Sequence, residues 1–140
     1  MILTLGIVMV LAGSVSAGDY LGHFCFKLDN WPDFYSWQVH KVGNAYHITG
    51  IDPGYPAAMS GGGAVTGGYL YLSVIESAPD AWAYSIHNMK ISTSTWKGTD
   101  TITWFNYDGI PYVWYLNEPL SKVPCSLAAE IEGVGPLLGK

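Results

Sequence analysis

Between Ala81 and Leu116 the chain sets Trp82, Tyr84, Trp96, Trp104, Phe105, Tyr107, Tyr112, Trp114 and Tyr115 among β-branched residues and short turn signals. Such side chains favour a pleated surface, so the stretch predicts a run of β-hairpins. Asp108-Gly109 supplies the strongest turn signal, because a two-residue hairpin turn needs positive φ. It registers Ile102 with Tyr115, Thr103 with Trp114, Trp104 with Val113 and Phe105 with Tyr112. Bulky groups then fall on both faces of these strands, and Pro111 must sit at a bulge or turn its donorless nitrogen away from a partner.

The same reading extends upstream. Gly22–Asp29 alternates Phe24, Phe26 and Leu28 against His23, Cys25 and Lys27, and Asn30-Trp31-Pro32-Asp33 breaks that strand. Phe34–Lys41 and Ala45–Ile51 form a hairpin through Gly43-Asn44, with Tyr35, Trp37, Val39, Tyr46 and Ile48 on the buried face. Residues 52–68, rich in glycine and interrupted by Pro53 and Pro56, read as a surface loop or lid. Tyr69–Glu76 is a strand with Leu70, Leu72 and Val74 on one face. Ala81–Ser92 is a longer strand, and a turn is expected at Lys97–Asp100. Seven or eight short strands of this kind predict an all-β antiparallel meander that closes into a small barrel, with a β-sandwich as the alternative.

Residues 1–17 carry an apolar run from Ile2 to Gly13 and end in Val15-Ser16-Ala17, the pattern of a secretory signal peptide. The run is short for the ~20 residues of a bilayer span, so no membrane span is expected in the mature chain. Residues 18–126 would form one β-domain and 127–140 a C-terminal tail opening in a short helix at Ser126. The chain is predicted to be secreted or periplasmic. In that compartment Cys25 and Cys125, the two cysteines of the chain, predict a disulfide between the first strand and the C-terminal segment. No CxxC or HxxxH spacing supports a metal site in its place.

The net charge is −5, and all six basic residues are lysine. Without arginine forks for phosphates and guanine edges, a nucleic-acid partner is not expected. Asp29, Asp33, Asp52, Glu76, Asp80, Asp100, Asp108 and Glu118 occur mostly at turns or strand ends, where cap and turn roles account for them. No spacing offers the paired carboxyls of a glycosidase. Ala58-Met59-Ser60-Gly61-Gly62 resembles a loosened nucleophile elbow without its helix. No catalytic residue and no cofactor are therefore predicted, and the reading leans away from an enzyme. His40 and His47, opposed across the hairpin, are a weak metal candidate at ~5 Å between Cβ atoms.

Six Trp and ten Tyr carry the functional expectation. Trp82, Tyr84, Trp104, Tyr112 and Trp114 would line a pocket for a small apolar or aromatic ligand in the barrel interior. Two alternatives use exposed rings, either stacked on sugars as a carbohydrate-binding module or as a self-association surface. The layout resembles calycin barrels of the lipocalin and avidin type, though the G-x-W signature of their first strand is absent. Gly22-x-Phe24-Cys25, then Leu28, Asp33 and Trp37-x-Val39, is similar to small exported bacterial proteins of unassigned function. That likeness implies an exported β-domain and no particular activity.

Overall fold

The computed structural model describes residues 18–31, 34–54, 57–77, 83–106 and 108–126, with the backbone alone at 83 and 112–114. The expected signal peptide, the tail, Trp82 and Tyr107 lie outside the described residues. Eight strands follow in order: β1 (Asp19–Leu28), β2 (Phe34–Val42), β3 (Ala45–Asp52), β4 (Ala57–Thr66), β5 (Tyr69–Ser77), β6 (Ala83–Ser92), β7 (Lys97–Asn106) and β8 (Pro111–Val123). Each pairs antiparallel with the next, and β8 returns to β1 to close a barrel. The closing ladder pairs Cys25–Leu28 of β1 with Leu120–Val123 of β8, so over that span neither terminal strand presents an edge to another chain.

Strand alternation places the core. Along β5, Leu70, Leu72, Val74 and Glu76 point inward and are buried, while Tyr69, Tyr71, Ser73 and Ile75 are exposed. Inward side chains from all eight strands, including Phe26, Trp37, Ile48, Met59, Met89, Ile102 and Leu120, fill the interior. Gln38, His47, Thr49, Ser60, Asn88 and Lys90 face outward and are exposed. Tyr20, Val42, Ile51, Tyr69, Tyr71 and Ile75 are exposed among them, so the outer wall mixes polar and apolar groups. No helix among the described residues is long and apolar enough to cross a membrane.

Two sequence-based hairpins have the expected register. Val42 pairs with Ala45 and His40 with His47 around Gly43, whose φ is +59°. Around Gly109 (φ +78°), Ile102, Thr103 and Trp104 meet Tyr115, Trp114 and Val113. Phe105 instead meets Pro111, because the register shifts between Trp104 and Phe105 and leaves Tyr112 as the extra residue of a bulge in β8, beside the proline that cannot donate to the ladder.

Two expectations are corrected. The glycine-rich segment is not a lid: residues 57–66 are strand β4, paired on both sides. Gly61 and Gly63 face inward where neighbouring backbone approaches closely. A Cβ on Gly63 would overlap the Tyr71 carbonyl oxygen, and one on Gly61 that of Ser73. These glycines let a strand coil into a narrow barrel, so they are strand residues here. The turn expected at Lys97–Asp100 lies earlier, at residues 93–95. Trp96 N–H donates to the Ser92 carbonyl at 2.8 Å, and Lys97–Asp100 already pair with β6 or β8. The Ser/Thr run supports the turn with its own hydroxyls: Ser92 Oγ accepts from Thr95 N–H at 3.4 Å and lies 3.0 Å from Ser94 Oγ, while Thr93 Oγ1 donates across to the Gly68 carbonyl of the β4–β5 turn at 2.9 Å.

Cys25 and Cys125 are disulfide-bonded, with Cα atoms 5.2 Å apart. They pack with Phe34 and Val123 in a small cluster outside the barrel wall.

Candidate functional site

The inward rows of β5, β6 and β7 are apolar until they reach Glu76, His87 with Ser85, and Asp100, all buried. Strand pairing brings these three rows together, and Tyr35 on β2 reaches them from across the barrel. His87 Nδ1 lies 2.8 Å from Asp100 Oδ2, and its Nε2 lies 2.8 Å from Glu76 Oε2. Ser85 Oγ donates to Glu76 Oε2 at 2.9 Å and lies 2.8 Å from His87 Nε2. Tyr35 OH donates to Asp100 Oδ2 at 3.2 Å. Asp100 Oδ1 is buried with no hydrogen-bond partner among the described residues.

The electrostatics follow from this geometry. Burial pulls the His87 pKa down, but hydrogen bonds and charge from Asp100 and Glu76 outweigh it and raise the pKa to about 9. At neutral pH the ring is an imidazolium donating from both nitrogens. Burial first, then the charges of Asp100, Glu76 and Asp52, push the Tyr35 phenol far above its ordinary value, so it stays a neutral donor.

Ser85, His87 and Asp100 thus have the spacing of a nucleophile, base and orienting acid. Glu76 changes what they can do. It holds the proton on Nε2 and accepts the hydrogen bond that Ser85 Oγ donates, so the ring has no lone pair turned to the hydroxyl. Ser85 is also 1% exposed. The cluster acts as a charge clamp joining four strands: one buried cation between two buried carboxylates, with the Tyr35 phenol and the Ser85 hydroxyl donating to the same two carboxylate oxygens that face the ring. Reading these acids as turn residues missed it. The available signal was parity, since Glu76, His87 and Asp100 each stand two positions from an apolar residue of an inward row.

The predicted aromatic site does not come together as one pocket among the described residues. Trp104 faces inward and packs half-buried against the core. Tyr84 is corrected to the outer wall, where it stacks on Phe105 with centroids 5.1 Å apart, because the inward residues of β6 are Ser85, His87, Met89 and Ile91. Trp82 and the side chains of Tyr112 and Trp114 lie outside the described residues. Deeper in the barrel, Phe24, Phe26, Trp37, Leu72, Ile91 and Trp96 surround a void of about 10 Å³, room for one water at most. His40 and His47 face one another as expected, with the His40 ring 5.2 Å from Tyr20. No third His, Cys, Asp or Glu converges on them among the described residues.

Open space lies on the outer wall instead. A groove of about 400 Å³ runs over β4–β8, lined in part by Gly62, Tyr71, Ser73, Asn88, Lys90, Thr99, Thr101 and Asn117. Register arranges two rows across it: Gly62, Ser73, Asn88 and Thr101 in one, and Ala64, Tyr71, Lys90 and Thr99 in the other. Each row crosses three strand spacings, about 14 Å. Ser73 Oγ donates to Asn88 Oδ1 at 2.9 Å, which fixes the amide and leaves its NH₂ as a donor. Lys90 Nζ stands 4.5 Å from the Tyr69 ring centre and 5.9 Å from that of Tyr71.

Comparison with protein-family models, with curated proteins and with solved structures finds no match for this chain.

Proposed function

We propose that this chain is an exported, non-enzymatic binding protein that takes a hydroxyl-rich ligand, a glycan, on its outer wall. The observation that carries the reading is the groove over β4–β8: its volume is in the range of ligand sites, and it alternates an aromatic face with hydroxyl and amide groups. Tyr71, 46% exposed, offers a flat ring for the apolar face of a sugar. Ser73, Asn88, Thr99 and Thr101 stand beside it on rigid paired strands, so little side-chain order has to be gained on binding. Export is supported by the small-residue end of the 17-residue leader and by the disulfide, a bond that persists in oxidising compartments. An apolar ligand in the interior, the first expectation from the sequence, finds little room between the rings lining the 10 Å³ void.

Isothermal titration against a panel of soluble neutral and acidic oligosaccharides tests the reading. At least one class should bind the wild type and bind Tyr71→Ala and Asn88→Ala at least tenfold more weakly, while circular dichroism stays unchanged. No binding across the panel, or binding indifferent to both substitutions, refutes it. Heat that tracks protein concentration alone would point to self-association.

A further inference from the structure

The outer face of β1 carries a cluster that the disulfide conceals. His23 and Cys25 stand two residues apart, so their side chains share one face of the strand. Cys125 arrives from beyond the end of β8. His23 Nε2 lies 3.7 Å from Cys25 Sγ and 2.7 Å from Ser36 Oγ. A ring nitrogen of His23 and both sulfurs all fall within 4.8 Å of one another. We propose that, when the disulfide is reduced, His23, Cys25 and Cys125 bind a zinc ion or a similar borderline-soft divalent cation.

The chemistry matches on two counts. Two thiolates and one imidazole are an established zinc donor set, with the fourth position left to water. Tetrahedral zinc with bonds of about 2.3 Å to sulfur and 2.0–2.1 Å to nitrogen separates its ligand atoms by about 3.5–3.8 Å, the spacing that His23 and Cys25 already have. The two sulfurs must part to reach it, and the His23 nitrogen and Cys125 Sγ, within 4.8 Å of each other, settle to the same spacing. Cys125 lies past Val123, the last residue of β8, so no strand pairing holds it back. His23 is exposed, which gives the cation a path in.

The redox step balances with a dithiol as reductant. Two electrons pass to the Cys25–Cys125 bond, the dithiol becomes a disulfide, and its two protons appear on the freed thiols. Zinc then takes both thiolates, releases those protons, and accepts the lone pair of neutral His23. The metal closes the same span of sequence, a separation of 100 residues, that the disulfide closed. Oxidised and metal-bound forms are therefore alternative clasps on one barrel.

The test reduces the protein with dithiothreitol, removes the reductant without oxygen, and titrates first Co²⁺ and then Zn²⁺. One equivalent of Co²⁺ should produce thiolate-to-metal absorption that Zn²⁺ abolishes. Bound Zn²⁺ should block alkylation of both thiols and raise the melting temperature of the reduced chain. His23→Ala should weaken Zn²⁺ binding at least tenfold while leaving the near-UV spectrum of the oxidised protein unchanged. Absence of the thiolate band overturns the proposal. So does equal affinity in His23→Ala, or a reduced chain that Zn²⁺ neither protects nor stabilises.

Discussion

Replacing His87 by Gln removes the cation from between Glu76 and Asp100 and leaves two carboxylates facing each other in a dry interior. Both wild-type contacts are 2.8 Å, and all three side chains are at most 6% exposed, so solvent screens little. Stranding a buried charge in this way costs about 3–5 kcal/mol. The same clamp fixes the pH dependence. His87 titrates at about 9 in the folded chain against 6.5 for the free side chain, so the folded state holds the proton more tightly. The stabilisation is then full below pH 6.5 and is lost as pH rises through 9. That difference in pKa corresponds to roughly 3 kcal/mol. At an m-value of about 1.5 kcal/mol/M it moves the urea midpoint down by about 2 M. Urea titrations followed by tryptophan fluorescence at half-unit steps from pH 6 to 10 measure it. The wild type should weaken across this window, and His87→Gln should start lower and lack this alkaline loss. Adding Glu76→Gln and Asp100→Asn to His87→Gln should recover stability, since no charge is then left unpaired. A wild-type midpoint flat from pH 6.5 to 10, or an undiminished alkaline loss in His87→Gln, refutes the reasoning.

Removing the disulfide as Cys25→Ala/Cys125→Ala should cost about 4–5 kcal/mol, the chain entropy of a loop of about 100 residues, read as a lowered urea midpoint against the oxidised wild type. Gly63→Ala should destabilise by more than 2 kcal/mol, because its Cβ meets a paired backbone carbonyl that cannot swing aside. By contrast, Ala64→Gly, on the outward face of the same strand, should cost about 1 kcal/mol or less. Thermal melts of the two variants decide whether the glycines of β4 are structural.

Most of the barrel was legible from alternation. Leu70, Leu72 and Val74 against Tyr69 and Tyr71, and Phe24, Phe26 and Leu28 against His23 and Lys27, gave strands with the right faces. Gly43-Asn44 and Asp108-Gly109 gave registers that the pairing reproduces as far as the bulge at Phe105. The failures share one cause, which is that a residue's local preference was weighed before its position. Gly61 and Gly63 look like loop residues until a narrow barrel needs a strand without Cβ atoms on its inner face. Gly98 and Asp100 look like a turn until Ser92–Thr95 closes the hairpin with its own hydroxyls. Glu76 and Asp100 look like strand-end acids until His87 supplies the charge that allows both to be buried. Such pairings join residues 11, 13 and 52 positions apart in sequence, and only the closed fold decides them. The aromatic surplus did not reveal which rings face outward either; Tyr84 does so because of where β6 begins.

The pairing of β1 with β8 spans only Cys25–Leu28 against Leu120–Val123, whereas the other ladders run nearly the length of their strands. A hoop fails at its shortest lap, and the sulfur bridge sits beside that lap as a rivet. While it holds, thermal fluctuations cannot unroll the cylinder into a flat sheet. Once it is cut, that four-residue lap alone keeps the first and last strands from opening into free margins along which one molecule would splice onto the next.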